Sequence, residues 1–474
     1  MQRKFFGLAV ERILYLLEQK PEDIELLSLL CGVYFDIADY YAAIDVGRRV
    51  LEQDPDNGPI WRRMSQSLLR TGDRDEAWEA ACRFREVSKD HPGTLPLMIE
   101  HYERSNMLDE AEALLEEMGS DESAGDAYVY YGARLLVQRK KYDEAIPLIA
   151  KGIERSAKDT HLSTEYCYLL CKAQDRLGNY DDAWAAAAKA HEIGKKPWDQ
   201  ASFDLKQQET RAFFSPEVLE LLPRATNHDE QPILICGNPR SGTSLLEQIL
   251  SMHPDIKSGG EMSATTLMEN FSPRMTDSYH EWPHCLMDMK SSDADAIADV
   301  YIRARRCIDA NCKKVTNKSL VLQTQLGFLS LVLPGSKAID LRRHPLDNCV
   351  SCYTTSIASV GHTYAHSLEN MASTWIARRQ MREHWRETLD MPILELHYEQ
   401  LVSNQEFETK RLLKFLGVPW EPKCLDFHTS KRVAATISYD QVNKKMYSSS
   451  SGRWKRYEKH LGPLIDRFTE AGYL

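Results

Sequence analysis

Alanines recur at a fixed spacing through the first part of this chain, and that spacing constrains the fold more than any other feature. Five of them lie 34 residues apart and a sixth follows after 38, namely Ala9, Ala43, Ala77, Ala111, Ala145 and Ala183. Acidic residues precede most of these alanines, as in Asp75-Glu76-Ala77 and Asp143-Glu144-Ala145. A period of this length is typical of stacked helix pairs, because one pair cannot bury its apolar face alone.

The spacing and the residue types resemble the tetratricopeptide repeat, in which small residues permit close helix packing and a proline follows the second helix. Five complete helix pairs are predicted at Leu26 to Asp54, Trp61 to Ser88, Thr94 to Met118, Ala124 to Ser156 and Leu162 to Ile193. Ala9 and Pro21 fit a second helix without a first, so we expect a truncated or atypical capping unit at the start. The concave face of such a solenoid commonly binds an extended peptide or another subunit, so a protein partner or a homodimer is expected there.

The length of 474 residues exceeds one ordinary core and predicts more than one domain. We expect a helical repeat domain over residues 1–196, a connector over 197–230 with one short helix at Pro216 to Leu222, and a second domain over 231–474. The predicted fold class is an α-solenoid followed by an α/β domain that resembles a P-loop fold and has a mostly parallel sheet.

Composition narrows the class of protein further. A net charge of −11 disfavours nucleic acid as a main partner, although a local basic cleft can still hold an anion. Eleven scattered cysteines fit reduced thiols, and Cys349 and Cys352 form a lone CxxC that we interpret as half-buried helix residues. Neither the interrupted apolar start nor Leu326 to Leu333 fits a signal peptide or a membrane span, so a cytoplasmic protein is expected.

One stretch of the second domain has the plan of a phosphate cradle. The strand-like run Pro232 to Gly237 enters a turn rich in Gly, Pro and Ser, which opens directly into residues of helical spacing. Gly237 and Gly242 are spaced as in a Walker loop, but Thr243 stands where that loop requires lysine. Triphosphate hydrolysis, and with it a nucleotide kinase, is therefore disfavoured. Backbone N–H groups, hydroxyls and Arg240 remain, a set suited to a phosphate without magnesium.

Short apolar segments elsewhere in this domain predict further buried strands. They are Lys314 to Thr316, Ala338 to Leu341 and Ile393 to Leu396, each followed by a helical stretch. In a parallel sheet, ligands lie beyond the carboxyl ends of the strands. The important residues should therefore be the opening loop, Asn317-Lys318, Arg342-Arg343 and Tyr398-Glu399. The turn from Arg343 to Ser351 predicts a second anion site, as a nucleotide with phosphates at both ends of its ribose would need.

The domain resembles sulfotransferases that use 3′-phosphoadenosine 5′-phosphosulfate (PAPS), and is most similar to bacterial tetratricopeptide-sulfotransferase fusions and tyrosylprotein sulfotransferases. The motifs that carry the resemblance are PRSGTS at the loop, Gly260-Glu261, Asn317-Lys318, RRHPLDNCVSCY, HYEQL, and Tyr439-Asp440-Gln441-Val442 leading to YSSSSGRWKRY. They span Pro232 to Tyr457. Met262-Ser263 departs from the tyrosine enzymes, which weakens the assignment of a peptide acceptor.

The resemblance implies roles for individual residues. The 5′-phosphosulfate loop falls on Arg240, Ser241, Gly242, Thr243 and Ser244, and the 3′-phosphate contacts on Arg343 and Ser351, with Ser450, Gly452 and Arg453 closing over the nucleotide. Glu261 is then the general base, Arg240 and Lys318 hold the sulfonate and the bridging oxygen, and Ser438 assists in the transition state. No metal is implied. The acceptor hydroxyl stays open among peptide, phenol and carbohydrate.

Several alternatives remain open from the sequence. Glu261 also fits a surface carboxylate that caps the next helix, and Lys318 a solvated loop charge. His253, His362 and His366 are rival bases, although His253 lies in a helix-ending turn and the other two lie away from any strand end. A different class of function is a binding protein whose repeats do the work while the nucleotide fold is inert. The joint presence of Arg240, Glu261, Lys318, Arg343 and Ser351 favours the enzyme.

Overall fold

The computed structural model describes residues 2–37, 39–119, 125–309, 311–358, 361–430, 446 and 450–474. The chain divides into two compact units, each formed from three separate segments. The first unit comprises Met1–Lys89, Lys206–Arg342 and Arg378–Met446, and the second comprises Asp90–Leu205, Arg343–Ala377 and Tyr447–Leu474. This division does not follow the expected boundaries at residues 196 and 230, which stay predictions.

The first unit begins with helices at the expected period. They are α1 (Gln2–Gln19), α2 (Ile24–Asp36), α3 (Tyr40–Gln53), α4 (Gly58–Thr71) and α5 (Arg74–Val87). Asp23, Asp39, Asn57 and Asp73 cap α2 to α5, each accepting a hydrogen bond from a backbone N–H in the first turn. Small residues let the helices approach closely: a Cβ added to Gly47 would lie 2.6 Å from the Met64 sulfur.

The second unit continues the helix pairs with α6 (Thr94–Arg104), α7 (Leu108–Met118), α8 (Gly125–Gln138), α9 (Tyr142–Arg155), α10 (Thr160–Leu177) and α11 (Tyr180–Ile193). The periodic alanines Ala111, Ala145 and Ala183 are fully buried. The five expected helix pairs are thus present, and the long α1 precedes them as the expected single helix. The tetratricopeptide assignment itself stays a prediction, since helix pairs of this length are not unique to it.

A five-stranded sheet lies in the first unit. Its strands are β1 (Pro232–Gly237), β2 (Ile256–Ser258), β3 (Lys314–Asn317), β4 (Lys337–Arg342) and β5 (Ile393–His397). The order is β2-β3-β1-β4-β5 and every pairing is parallel, which confirms the expected parallel sheet. Four strands were expected from the sequence and β2 was not.

Helices cover this sheet and complete both units. In chain order they are α12 (Gln200–Phe213), α13 (Pro216–Leu221), α14 (Thr243–Ser251), α15 (Ala264–Met275), α16 (Ser291–Ile308), α17 (Leu322–Val332), α18 (Pro345–Tyr353), α19 (Leu368–Thr388), α20 (Tyr398–Ser403), α21 (Gln405–Leu416) and α22 (Gly462–Glu470). Short 3₁₀ segments lie at His284–Asp288, Thr363–His366, Pro422–Thr429 and Arg453–His460. The connector therefore contains α12 in addition to the expected short helix.

Both faces of the sheet are buried, as a parallel sheet requires. Leu234, Val315 and Phe328 belong to the core on one face, and Ile235, Ile339 and Leu396 to the core on the other. The register pairs Leu234 with Asn317, Gly237 with Leu341 and Arg342 with His397. The segments that follow β1, β3 and β5 therefore leave the sheet at one edge, held by strands that are packed on both sides.

Within the described ranges, no helix is long and apolar enough to cross a membrane, and no group of three or more His, Cys, Asp or Glu side chains is arranged to hold a metal ion. All eleven cysteines lie in described positions and are free thiols. Cys349 and Cys352 lie on α18 as expected but are fully buried, and burial raises the pKa of the Cys349 thiol well above its usual value. A redox role for this pair is thereby disfavoured.

Candidate functional site

The loop between β1 and α14 adopts the backbone form of an anion cradle. Arg240 has a positive φ of 65° and Gly242 one of 105°, so left-handed residues alternate with others through the turn. Such alternation points successive N–H groups into one concavity. The loop opens into α14, whose first-turn N–H groups have no acceptor within the helix. Gly242 is the N-cap of α14, and the loop and helix start together form a region that attracts negative charge.

Close packing fixes the path of this loop. A Cβ added to Gly242 would lie 2.6 Å from Cδ2 of Tyr398, the residue that begins α20. A Cβ on Gly237 would lie 2.6 Å from the Ser241 hydroxyl oxygen. Alanine at either position would therefore force the loop apart. The sequence indicated Tyr398 only as a residue that follows a strand. In the structure its ring packs against Gly242 and leaves no room for a side chain there.

The polar side chains of the loop suit an anionic ligand. Ser241 is 1% exposed, and its Oγ has no hydrogen-bond partner among the described residues. A buried hydroxyl without a partner costs free energy unless a ligand or water completes it. Arg240, the cation of the loop, is only partly buried, and Thr243 lies buried at the first position of α14. These features fit the phosphate or sulfonate of the expected donor, whose oxygens would accept from Ser241 and from the backbone N–H groups.

Glu261 and Lys318 form an ion pair in the same compact unit as this loop. Lys318 Nζ lies 3.0 Å from Glu261 Oε1, and the lysine side chain is 5% exposed while the glutamate side chain is 52% exposed. The Lys318 backbone N–H also donates to the Gly260 carbonyl at 2.8 Å. The open alternative of a solvated loop charge is thus wrong for Lys318, because its side chain is buried. Glu261 keeps the access to solvent that an acceptor hydroxyl would need.

Glu247 is a functional candidate that the sequence reasoning missed. This residue of α14 is 3% exposed, and its Oε1 accepts from the Gly260 N–H at 3.0 Å and from the Thr316 hydroxyl at 2.8 Å. Gly260 has a positive φ of 65°. A signal was present in the sequence, because a carboxylate stands inside the otherwise apolar run Leu245-Leu246-Glu247-Gln248-Ile249-Leu250. Buried carboxylates need a structural or chemical reason.

Helix α3 and its N-cap residue Asp39 contact the chain on either side of Glu261 in the sequence. The Tyr41 hydroxyl donates to the Ser258 carbonyl at 3.0 Å, and the Ser263 hydroxyl donates to Asp39 Oδ2 at 2.6 Å. Burial raises the pKa of Asp39 above its ordinary value, although the hydrogen bonds from Ser263 and Ala42 oppose this. The first helix pair therefore belongs to the same compact unit as Glu261, the candidate base. Its hydrogen bonds hold the turn that carries Glu261 in place.

A network of buried charges fixes the end of β4. Arg342 Nε lies 2.8 Å from Asp340 Oδ2 and Arg342 Nη1 lies 2.6 Å from Glu395 Oε2. On the other side of Asp340, Arg382 Nε lies 2.7 Å from Oδ1. Arg342 is thereby occupied with structural partners. Of the two consecutive arginines in the sequence, Arg343 remains the one to consider for an anion.

In the second unit, the expected nucleotide-closing segment contacts α18 and the residues before it. Arg343 Nη2 donates to the Ser450 carbonyl at 2.8 Å. Asp347 is buried, and its two oxygens accept from the N–H groups of Gly452 at 2.6 Å and Trp454 at 2.9 Å. Ser351 lies buried on the same helix. Asp347, which the sequence reasoning did not single out, thus holds this segment against the turn that begins at Arg343.

Arg453 has a partner that the sequence did not suggest. Its Nη2 lies 3.0 Å from Asp175 Oδ1 on α10, and the Tyr457 hydroxyl donates to the same oxygen at 2.5 Å. Burial favours a raised pKa for Asp175, but Arg453 and Tyr457 outweigh it and lower the pKa below the ordinary value. A repeat helix therefore anchors the segment, and the role of Arg453 toward a nucleotide stays a prediction.

We expect Asp175→Asn to destabilise the protein by about 2–3 kcal/mol at neutral pH, because it leaves the largely buried Arg453 without its counter-charge. A carboxylate whose pKa is lowered by folding stabilises the protein at any pH above the ordinary carboxyl pKa. This stabilisation is lost as the pH falls through the lowered pKa of the folded protein. The difference between the two proteins should hence shrink below about pH 4. Thermal unfolding across pH measures it.

Asp181→Asn is the matched control, since Asp181 pairs with Lys459 at 2.6 Å on the surface and is 60% exposed. Exposed pairs contribute little, so its unfolding temperature should stay close to that of the wild type. Equal destabilisation by both substitutions would contradict the anchoring role of Asp175.

The other residues that the sequence suggested for the site are Ser438 and three histidines. Ser438 lies outside the described residues. His253 is buried, with Nε2 3.0 Å from the Pro419 carbonyl and Nδ1 accepting from the Asp255 N–H at 3.1 Å. His366 contacts His191 at 3.2 Å between their Nδ1 atoms, and burial lowers the pKa of His366. His253 has both ring nitrogens engaged, which favours a structural role, and His362 precedes the short helix of His366.

Comparison with known proteins shows what this part of the chain is similar to. Residues 232–422 match the model of the Sulfotransferase family, a range that begins at β1 and includes the whole sheet, the loop, Glu261 and Lys318. The similarity to this family therefore covers the α/β part of the chain.

Individual proteins are also similar to this chain. An uncharacterized protein of Aquifex aeolicus (strain VF5) is 28% identical over 466 residues, which cover 96% of this chain and 61% of that protein. Protein-tyrosine sulfotransferase A of Caenorhabditis elegans is 23% identical over 45% of this chain and 56% of its own length, and protein-tyrosine sulfotransferase 1 of Danio rerio is 25% identical over 47% and 63%. The chain thus spans about three fifths of the length of these relatives.

Among solved structures, the sulfotransferase domain from the Synechococcus PCC 7002 olefin synthase is 20% identical and covers 49% of this chain and 90% of its own, with a TM-score of 0.37. The sulfotransferase domain from the curacin biosynthetic pathway is 17% identical, with coverages of 53% and 99% and a TM-score of 0.37.

Proposed function

We propose that this protein transfers a sulfuryl group from PAPS to the hydroxyl group of an acceptor. The observation that carries the proposal is the anion cradle at Arg240–Ser244 lying in one compact unit with the Glu261–Lys318 pair. The family match over the same residues supports it. The predicted contacts of the 3′-phosphate, Arg343 and Ser351, are retained on the sequence resemblance alone.

Each residue of this site would have a separate role in an in-line transfer. The donor supplies a sulfur–oxygen bond to phosphate, which breaks as a bond from sulfur to the acceptor oxygen forms and adenosine 3′,5′-bisphosphate leaves. Glu261 would accept the proton of the acceptor hydroxyl. Lys318 would neutralise negative charge that develops on the bridging oxygen, and Arg240 and the loop N–H groups would stabilise the sulfuryl oxygens. Positioning and electrostatics thus account for the proposed catalysis.

The observed ion pair gives this mechanism an order of events. The Lys318 ammonium lies 3.0 Å from Glu261 Oε1 and so competes for the oxygen that would accept the proton. An anion in the loop would draw Lys318 toward itself, because an opposite charge nearby stabilises the ammonium there. Glu261 would then be released as a base only when the donor is bound. The proposal therefore includes coupling between donor binding and base availability.

The acceptor, the partner and the cellular location are further parts of the proposal. Two matched relatives are named protein-tyrosine sulfotransferases, so a tyrosine in a peptide is the acceptor to test first, followed by small phenols and carbohydrates. The repeat helices would bind the acceptor or a separate protein, and a cytoplasmic location remains the expectation from the sequence. The competing function, a repeat-based binding protein with an inert nucleotide fold, predicts no transfer to any acceptor.

Incubation with PAPS labelled on the sulfuryl group tests the proposal. Tyrosine-containing peptides, simple phenols and oligosaccharides serve as acceptors, and release of adenosine 3′,5′-bisphosphate is followed in parallel. We expect label in at least one acceptor class together with release of one bisphosphate for each transfer. Binding of the nucleotide without transfer to any class would support the inert alternative instead.

A further inference from the structure

Three segments of the candidate site meet at one buried carboxylate. Glu247 lies on α14, the helix that begins at the anion loop, and its Oε1 accepts from Gly260 and Thr316. Gly260 directly precedes Glu261, and Thr316 is two residues before Lys318 on β3. We propose that Glu247 is a positioning residue, which holds Glu261 and Lys318 in register with the anion loop. This inference rests on the proposed sulfuryl transfer.

The turn that carries Glu261 has little freedom of its own. The Gly259 N–H donates to the Thr316 carbonyl at 3.0 Å, and a Cβ on Gly259 would lie 2.3 Å from that oxygen. Gly260 then turns with a positive φ, which directs its N–H to Glu247. The carbonyl of Gly260 accepts from the Lys318 N–H. Gly260 is therefore fixed on its N–H side by Glu247 and on its carbonyl side by Lys318.

The side chain at position 247 connects two parts of the site. A single oxygen of Glu247 accepts both hydrogen bonds, so one residue of α14 is tied to the turn at Gly260 and to the strand at Thr316. The geometry of the reacting groups depends on such supports, since a misplacement of about 1 Å can cost a factor of about 10² in rate. Glu247 would thus act on transfer through the placement of Glu261 and have little effect on the affinity of the loop for phosphate.

Three single variants separate positioning from a merely structural role. Glu247→Ala removes both hydrogen bonds, whereas Glu247→Gln retains an oxygen that can accept both. Gln248→Ala is the matched control, because Gln248 is the next residue of α14, is equally buried and donates to the Phe427 carbonyl at 3.5 Å, away from the turn. We expect Glu247→Ala to lower kcat by roughly 10- to 100-fold, Glu247→Gln to restore most of it, and Gln248→Ala to change it little.

A double variant tests whether Glu247 acts through Glu261. In a background of Glu261→Gln, the further change Glu247→Ala should lower kcat by a clearly smaller factor than it does in the wild-type background, because the effects of coupled residues are not additive. Binding of adenosine 3′,5′-bisphosphate by calorimetry should be unchanged in all variants. An equal loss of kcat in both backgrounds, or a loss of bisphosphate binding in Glu247→Ala, would overturn the inference.

Hydrogen exchange provides a readout that does not depend on activity. The peptide covering residues 254–262 should exchange faster in Glu247→Ala than in the wild type, and at the wild-type rate in Glu247→Gln and Gln248→Ala. Unchanged exchange in Glu247→Ala would contradict the positioning role even if no acceptor is found. Absence of transfer by the wild-type protein, with faster exchange in Glu247→Ala, would instead count against the proposed function alone.

Discussion

Replacement of Glu261 with glutamine is expected to lower kcat for sulfuryl transfer by roughly 10²- to 10⁴-fold, the usual contribution of a general base. Glutamine keeps the size of the side chain and an oxygen that can accept from Lys318, but it cannot take a proton from the acceptor. Because the substitution leaves the 5% exposed Lys318 without its counter-charge, the unfolding temperature should also fall. Steady-state transfer and thermal unfolding measure the two effects.

The same unit offers a matched control for this substitution. Asp255 and Lys313 form another lysine–carboxylate pair at 3.0 Å, immediately before β2 and β3 rather than after them. Asp255→Asn should leave kcat at the wild-type value. Full activity of Glu261→Gln would contradict the role of Glu261 as the general base. The described histidines would then be the next candidates for that role.

Lys318→Met has the second largest expected effect. We expect kcat to fall by roughly 10²- to 10³-fold, because a fixed cation at the bridging oxygen stabilises charge that appears only in the transition state. Methionine fills a similar volume at this buried position, so the fold should persist. Binding of adenosine 3′,5′-bisphosphate, which has no sulfuryl group, should weaken much less than transfer.

Lys313→Met serves as the control for the lysine, since it removes a 72% exposed cation from the same strand region. It should behave as the wild type in transfer and in binding. If Lys318→Met lost bisphosphate binding and transfer to the same degree, the lysine would be a general anion contact, and its assigned place at the bridging oxygen would be wrong.

Periodic and strongly apolar features of the sequence were enough to predict most of the architecture. The 34-residue spacing of small residues predicted the helix pairs, because the same close packing repeats in each unit. The strands β1, β3, β4 and β5 were predictable as short buried runs before helices. Strand β2 was missed, since it has three residues and its central Lys257 is exposed. Helix α12 was missed because it is predominantly polar.

The candidate site was predictable only in part. The rule that ligands lie at the carboxyl ends of parallel strands identified the loop, Lys318 and Tyr398 as candidates before any contact was known. The direct ion pair between Glu261 and Lys318 was not predicted, because it depends on the turn at Gly260. Glu247 was missed because a carboxylate on a short helix is usually solvated. The contacts of Asp39 and Tyr41 join residues more than two hundred positions apart, and nothing local in the sequence signals them.

The structure also changes the interpretation of the repeat helices. The first helix pairs share a compact unit with the sheet, and α3 contacts both sides of the turn that carries Glu261. In the other unit, Asp175 of α10 anchors the segment that contains Gly452 and Arg453. The N-terminal helices are therefore integrated with the sheet in the first unit and with the C-terminal segment around Arg453 in the second, in addition to any partner that they bind.

Titration with adenosine 3′,5′-bisphosphate by calorimetry tests the central claim most directly, because it requires no knowledge of the acceptor. The account predicts binding of one equivalent to the wild-type protein and a rise in unfolding temperature with ligand concentration. Arg240→Ala should weaken that binding by about 1.5–3 kcal/mol, the usual contribution of a hydrogen bond to a charged group. Absence of both heat and thermal stabilisation in the wild-type protein would contradict the assignment of the loop to a sulfuryl donor.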